Sequence, residues 1–317
     1  MLTTYHLITA VHIGLIYVIL AVPLTLSYKA TKIINFVHIN FITYGAYTAV
    51  LLYKFLDVRN VFIAAAAAFI VGGSISVADN VAVFEPLRRR GANVVILMIA
   101  SMGLWIFYKY ILYSLLDALS RTKKVNLISQ LVRFETIKEV EIGSITLTSS
   151  FLTTLVVSGL LIIMLYLILE KTAVGKAIRA IADNPRLAEI SGIPRDRVLN
   201  VMWFLAGGMA AVGGTLWILF AIATPEVGDT LILQIFAIAV IGGLESLLLT
   251  AVGGFIISFA ENLGTAILNQ AFGVPTSFKP FITFATLLIV IIAFPPLGAG
   301  GGLPYRFFRK TRRGVKG

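Results

Sequence analysis

Nine apolar runs, each close to the length that a helix needs to cross a bilayer, constrain this chain more than anything else in it. They fall near residues 6–26, 33–53, 60–78, 92–116, 147–169, 199–221, 230–244, 247–268 and 280–297. A hydrocarbon core about 30 Å thick takes roughly 20 residues of helix, fewer where the bilayer or the tilt adapts. Lipid offers backbone amides no partner, so a spanning segment must satisfy them itself. A barrel would show alternation over strands of about 10 residues, and these runs do not alternate. The fold class expected is therefore all-α, a polytopic integral membrane protein of about nine transmembrane helices. Composition agrees: of 317 residues, 58% are hydrophobic and only 13% charged, too little charge to cover a soluble domain of this size. The N-terminal MLTTYHLITAVHIG lacks a basic leader and a small-residue cleavage site, and reads as a first span.

The net charge of +11 would point to nucleic acid in a soluble protein. Here the cations lie between apolar runs and in the tail, where orientation signals and lipid headgroups explain them, so no nucleic-acid partner is expected. Arg88, Arg89 and Arg90 sit in one connection, and Lys171, Lys176, Arg179, Arg186, Arg195 and Arg197 in or beside the 170–198 loop. Arg306, Arg309, Lys310, Arg312, Arg313 and Lys316 fill the 303–317 tail. Nine spans put these three regions on one side, which the positive-inside rule makes cytoplasmic. The N-terminus is then outside. The 117–146 connection, which mixes both signs, also falls outside.

Two spans are interrupted by polar or small residues. The second, IINFVHINFITYGAY, carries Asn35, His38, Asn40 and Thr43, and the seventh is short and ends in Gly242–Gly243. They cross in opposite senses, as an inverted repeat relating spans 1–4 to spans 6–9 would require, and transporters often build their path from such pairs. Polar groups in lipid turn toward protein or water, so these four and the glycine pair are candidates for lining a path. Interhelical hydrogen bonding is the alternative for each polar residue. Glu261 in the eighth span is suspect on the same ground, with a structural salt bridge or a capped helix end as its alternative. Gly207 with Ala211, Ala210 with Gly214, and Gly254 with Ser258 have the spacing that lets helix backbones approach closely.

Catalytic signals are missing. A phosphate loop needs a first glycine where Glu170 stands and a hydroxyl where Ala177 follows Gly175–Lys176. There is no cysteine, and the histidines are His6, His12 and His38. No metal, cofactor or catalytic residue is expected. The 170–198 loop is more informative. It contains an alanine-rich helical run with Ile178, Ile181, Leu187 and Ile190 on one apolar face, stopped at Gly192. A docking surface for a cytoplasmic partner accounts for both that face and the charge.

Four stretches resemble, in order, the permeases of bacterial and archaeal ABC importers for branched-chain amino acids. The loop carries Arg179, Ala180, Ala182, Asp183, Ala188, Glu189, Gly192 and Ile193 in the places of that family's ATPase-coupling loop. INFVHINFITYGAY, VIGGLESLLLTAVGGFIISFAEN and FPPLGAGG are similar to its other motifs. The departures are Ile39, Asn40, Glu245 and Pro295.

The resemblance implies a permease domain over 1–302, a basic cytoplasmic tail over 303–317, and residence in the cell membrane among lipid. It implies a second permease, homologous or identical, cytoplasmic ATPase subunits docked on the loop, and an extracytoplasmic solute-binding protein. The cargo implied is leucine, isoleucine or valine. Other readings stay open: the same machinery for a sugar, nucleoside or urea, a proton-coupled secondary transporter using Glu261 or His38, or a membrane scaffold.

Overall fold

The computed structural model describes residues 4–142 and 145–293. The FPPLGAGG segment with Pro295, the end of the ninth apolar run and the 303–317 tail lie outside the described residues. In chain order the helices are α1 Thr4–Thr31, α2 His38–Leu56, α3 Val61–Asp79, α4 Glu85–Arg89, α5 Val94–Lys123, α6 Ser149–Lys171, α7 Ala173–Asp183, α8 Pro185–Ile190, α9 Arg195–Trp217, α10 Val227–Ile241, α11 Leu247–Phe272 and α12 Lys279–Ala293. Every one of the nine apolar runs carries a helix. Among the described residues, six helical segments are long and apolar enough to cross a membrane: α1, α3 continued through a π turn into α4, α5, α6, α9 and α11. Helices α10 and α12 are apolar but have 15 residues each. A short antiparallel pair, β1 Val140–Ile142 with β2 Ile145–Leu147, lies before α6 and was not foreseen. Its sequence is rich in β-branched residues, with Val140, Ile142, Ile145 and Thr146, which favours strand over helix.

The second span departs from expectation. A helix was expected from residue 33, but residues 32–37 are not helical and α2 begins only at His38. Lys32 at φ +57° turns the chain back at the end of α1. The His38 ring Nε2 donates to the Leu20 carbonyl at 2.8 Å. Leu20 lies 11 residues before Thr31, about 16 Å back along α1, so residues 32–37 carry bare backbone into the depth of the molecule. Lipid would not tolerate that, and the segment is accordingly enclosed, with Ile33, Asn35 and Val37 fully buried.

The halves interlock. Helix α1 packs along α11 and α9 along α3, while α9 also holds α2 and α1 also holds α10. Each half's first span thus packs on the other half's third and second, the exchange an inverted repeat predicts. Helix α9 is buried along nearly its whole length, and its small residues explain how. A Cβ at Gly45 would strike the Ala211 carbonyl, one at Gly214 the Ile42 carbonyl, and those at Gly72 and Gly207 each other's backbone. The four-residue spacing read from sequence is therefore a packing device. On the other half Gly254 meets Val18, and Ser258 donates to the Ala10 carbonyl at 2.6 Å.

The connections sort onto two faces. Helix α7 packs on α1 and α9, Arg89 Nη2 reaches Asp196 Oδ2 at 2.5 Å, and Lys32 Nζ reaches Glu245 Oε1 at 2.7 Å. The arginine cluster and the 170–198 loop thus share one face. On the opposite face Gln130 pairs with the Ala223 backbone, and the Glu135 amide donates to the Arg59 carbonyl at 2.6 Å.

Gly214→Val is expected to destabilise the fold, since overpacking against rigid backbone costs about 1–3 kcal/mol or more. Gly159→Val on α6, where a Cβ meets nothing within 4 Å, is the control. Thermal unfolding of the two purified variants in detergent checks this, and equal midpoints would refute the packing role of α9.

Candidate functional site

The two interrupted spans meet inside the molecule. Helix α10 starts at Val227, and the amide of Gly228 in its first turn donates to Thr43 Oγ1 of α2 at 3.0 Å. Thr43 in turn donates to the Ile39 carbonyl at 3.3 Å. Gly228 allows the approach, because a Cβ there would strike Ile39 and Thr43. The rings of Phe36 and Phe236 stack at 5.1 Å, so α2 and α10 run antiparallel with their N-terminal turns overlapping. A helix start leaves four amides without intrahelical partners and a partial positive charge. The fold sets the first turn of α10 beside the second turn of α2.

Helix α5 closes this region from the side. Asn40 Nδ2 donates to the Trp105 carbonyl at 2.9 Å, and Trp105 Nε1 donates to Asp229 Oδ1 at 2.8 Å. Lys109 Nζ reaches Asp229 Oδ2 at 2.6 Å and Glu226 Oε1 at 3.5 Å. The Tyr113 hydroxyl donates to Glu226 Oε1 at 3.2 Å. Residues 105, 109 and 113 form one stripe of α5 at four-residue spacing, which keeps side chains on one face.

The candidates from sequence divide. Asn35, His38, Asn40 and Thr43 are all buried, 5% exposed or less. The fold brings Asn40 and Thr43 to the overlap of α2, α5 and α10. His38 is tied to α1, and Asn35 Oδ1 accepts the Val37 amide at 3.2 Å within the non-helical segment. Gly242 and Gly243 stand at the far end of α10, in the turn to α11. There Gly243 has φ +66°, and a Cβ on Gly242 would strike Thr250. In that turn Lys32 holds the Glu245 carboxyl below its usual range through hydrogen bond and charge. Glu261 is buried elsewhere, among α1, α11 and α12, with Tyr17 donating to Oε2 at 2.7 Å and Thr283 donating to Oε1. Lys109, Asp229, Glu226, Trp105 and Tyr113 were missed. A lysine midway along an apolar run was the signal available, but nothing in the sequence linked it to two carboxylates more than a hundred residues away.

The 170–198 loop folds as two helices rather than one. Thr172 caps α7 by accepting the Gly175 amide at 3.1 Å, and Asn184 caps α8 by accepting the Leu187 amide at 3.0 Å. The break at Asn184 and Pro185 splits the single apolar face read from sequence. Ile178 and Ile181 turn inward and are buried, whereas Leu187 is 59% and Ile190 80% exposed. Ala188 is also buried, anchoring α8 from below. Arg179 bonds the Leu169 carbonyl and pairs with Glu170 at 3.0 Å, which pins α7 to the end of α6. Glu189 pairs with Arg195 at 3.2 Å. Gly192 follows α8 at φ +82°, and Ile193 beyond it bonds back to the Ala188 carbonyl at 3.0 Å. Ala180 and Ala182 lie on α7 with Asp183 as its last residue.

Residues 7–291 match the family described as branched-chain amino acid transport system / permease component. The probable branched-chain amino acid transport permease protein LivH of Methanocaldococcus jannaschii is 33% identical over 290 residues, covering 90% of this chain and 88% of that protein. The high-affinity branched-chain amino acid transport system permease protein LivH of Escherichia coli K12 is 26% identical over 301 residues, 92% and 93% of the two chains. The autoinducer 2 import system permease protein LsrD of Escherichia coli SMS-3-5 is 25% identical over 145 residues, 44% of this chain and 42% of its own. No solved structure matches.

Thr43→Val keeps the shape but leaves the Gly228 amide buried without an acceptor, a loss of about 1–3 kcal/mol. Thr48→Val, on the same helix but bonded only to the Tyr44 carbonyl of its own previous turn, is expected to be milder. Unfolding midpoints in detergent read the difference, and equal effects would remove the Thr43 bond as the tie between α2 and α10.

Proposed function

The chain belongs to the family of permease components of branched-chain amino acid transport systems, and from that premise we propose that it forms the translocation path of an ATP-driven importer for leucine, isoleucine and valine. It is a transport component, not an enzyme. Permeases of this class work with ATPase and binding-protein partners. In this chain the ATPases dock on α8, and the coupling-loop face is cytoplasmic, which leaves the N-terminus outside. A second permease, identical or homologous, covers α5, whose outward side presents Val95, Ile99, Ile106, Phe107 and Tyr110 to lipid or protein.

The observation that carries this reading is the exposed Leu187–Ile190 pair on a short helix held rigidly from beneath. Isolated apolar side chains at a charged surface are costly to leave wet, and a buried anchor under them favours transmission of force over flexibility. A partner seated there pushes α7 and α8 as one body against the ends of α1, α6 and α9, the helices α7 touches. Because α1 and α9 each grip the other half's spans, such a push reaches α2 and α10 together. Selectivity rests largely on the binding protein that presents the cargo.

Another solute on the same machinery is the second reading, favoured by the partial similarity to an autoinducer 2 import permease. Proton coupling through Glu261 is disfavoured, since both of its oxygens accept hydrogen bonds within the core.

Uptake of labelled leucine, measured with and without this gene and before and after ATP depletion, tests the proposal. An ATP-dependent component is expected to vanish with the gene, and Leu187→Glu with Ile190→Glu is expected to cut it at least tenfold at unchanged membrane abundance. Uptake that survives ATP depletion and collapses with an uncoupler would move the chain to secondary transport. Unchanged leucine uptake would redirect it to other cargo.

A further inference from the structure

An amino acid in transit carries one cation and one anion, and both lose water wherever the path narrows. Charges taken out of water need partners of opposite sign. The ion pairs Lys32–Glu245, Arg89–Asp196, Arg121–Asp117, Arg179–Glu170 and Arg195–Glu189 sit at helix ends or in connections. Lys109 lies in the middle of a helix, although its partner Asp229 is in the first turn of α10. Lys109 is 15 residues into α5, about 22 Å from its start at Val94, one turn after Trp105 and against Asp229. A charged residue at such depth is expensive and tends to mark a route for polar cargo.

The composition of this cluster is unbalanced. One ammonium faces two carboxylates, and Asp229 alone takes the short contact at 2.6 Å with Trp105 as its second donor. Glu226 is left with a looser 3.5 Å contact to Lys109 and with Tyr113, and its side chain is 54% exposed. The cluster is open, since Lys109 and Asp229 are themselves 23% and 22% exposed. A tie that served only to fasten α5 to α10 would have no use for a second, exposed carboxylate.

We propose that Lys109, Asp229 and Glu226 hold the charged end of the cargo within the path, Lys109 receiving the carboxylate and Glu226 with Asp229 the ammonium of an α-amino acid. This rests on the amino-acid reading above. The entering zwitterion exchanges with the resident Lys109–Asp229 pair, so both charges of the cargo meet a resident charge of opposite sign and their desolvation is offset where it would be largest. A carboxylate without an amine brings a third anion to the single Lys109 ammonium and passes poorly.

The test uses the whole transporter in liposomes, with ATP and with binding protein loaded with leucine. Glu226→Gln is expected to lower leucine uptake about tenfold. The exchange Lys109→Asp with Asp229→Lys is expected to assemble normally yet not recover uptake, because the cargo's two ends then meet like charges. Wild-type uptake in Glu226→Gln, or full recovery in the exchanged pair, would overturn the proposal and leave a simple tie between helices. If the exchanged pair fails to assemble, carbodiimide labelling of Glu226 in the unaltered complex decides. Protection during leucine turnover supports the site, and equal labelling with and without cargo overturns it. A wild-type complex that carries a neutral sugar but no leucine would instead overturn the amino-acid reading, and this proposal with it.

Discussion

Bare backbone inside a membrane must be paired or enclosed, and the rest of this structure is arranged around meeting that demand at residues 32–37. The Ile33 amide takes Thr31 Oγ1, the Phe36 amide takes Ser101 Oγ, and the Val37 amide takes Asn35 Oδ1. Enclosure comes from α1, α5 and α10, and these can close only because α9 lets α2 sink against it at Gly45 and Gly214. The small residues of α9 and the polar residues of the second span are thus parts of one solution. Side chains are removed in one place so that backbone can be covered in another.

That arrangement leaves α2 and α10 starting in the interior. Their first turns supply amides and partial positive charge at a depth where water is scarce. Asp229 in the first turn of α10 answers that field, Lys109 answers Asp229, and Glu226 remains over. The interior therefore holds an open ion cluster at this spot. This suits a carrier of small amphipathic solutes better than a scaffold, which has no use for an open ion cluster in its middle. Glu261, by contrast, is a carboxylate absorbed into packing, and depth alone did not tell the two cases apart.

The 170–198 loop illustrates a similar division of labour. Ile178, Ile181 and Ala188 attach it to the membrane domain, while Leu187 and Ile190 face away. A single helix could not do both with these residues, since the attachment and the outward pair would share one face. Asn184 and Pro185 rotate the second helix relative to the first, and the caps of Thr172 and Asn184 make both helices stable despite their shortness.

Local pattern was enough for the nine apolar segments, the small-residue packing stripes and the shared face of the arginine cluster and the loop, because length, hydropathy and spacing act within one segment. The place where helix gives way to open backbone after Thr31 was not legible. Residues 33–37 are apolar enough to be helical, and only the hydrogen bonds to Ser101 and the enclosure by distant helices make the broken form affordable. The partners of Asn40, Thr43 and Glu261, and the Lys109–Asp229–Glu226 cluster altogether, belong to the same category. Sequence determined that this chain lives in lipid and how its helices can touch. Tertiary structure alone decided which charges meet, because those meetings join residues whose separation along the chain carries no periodic trace.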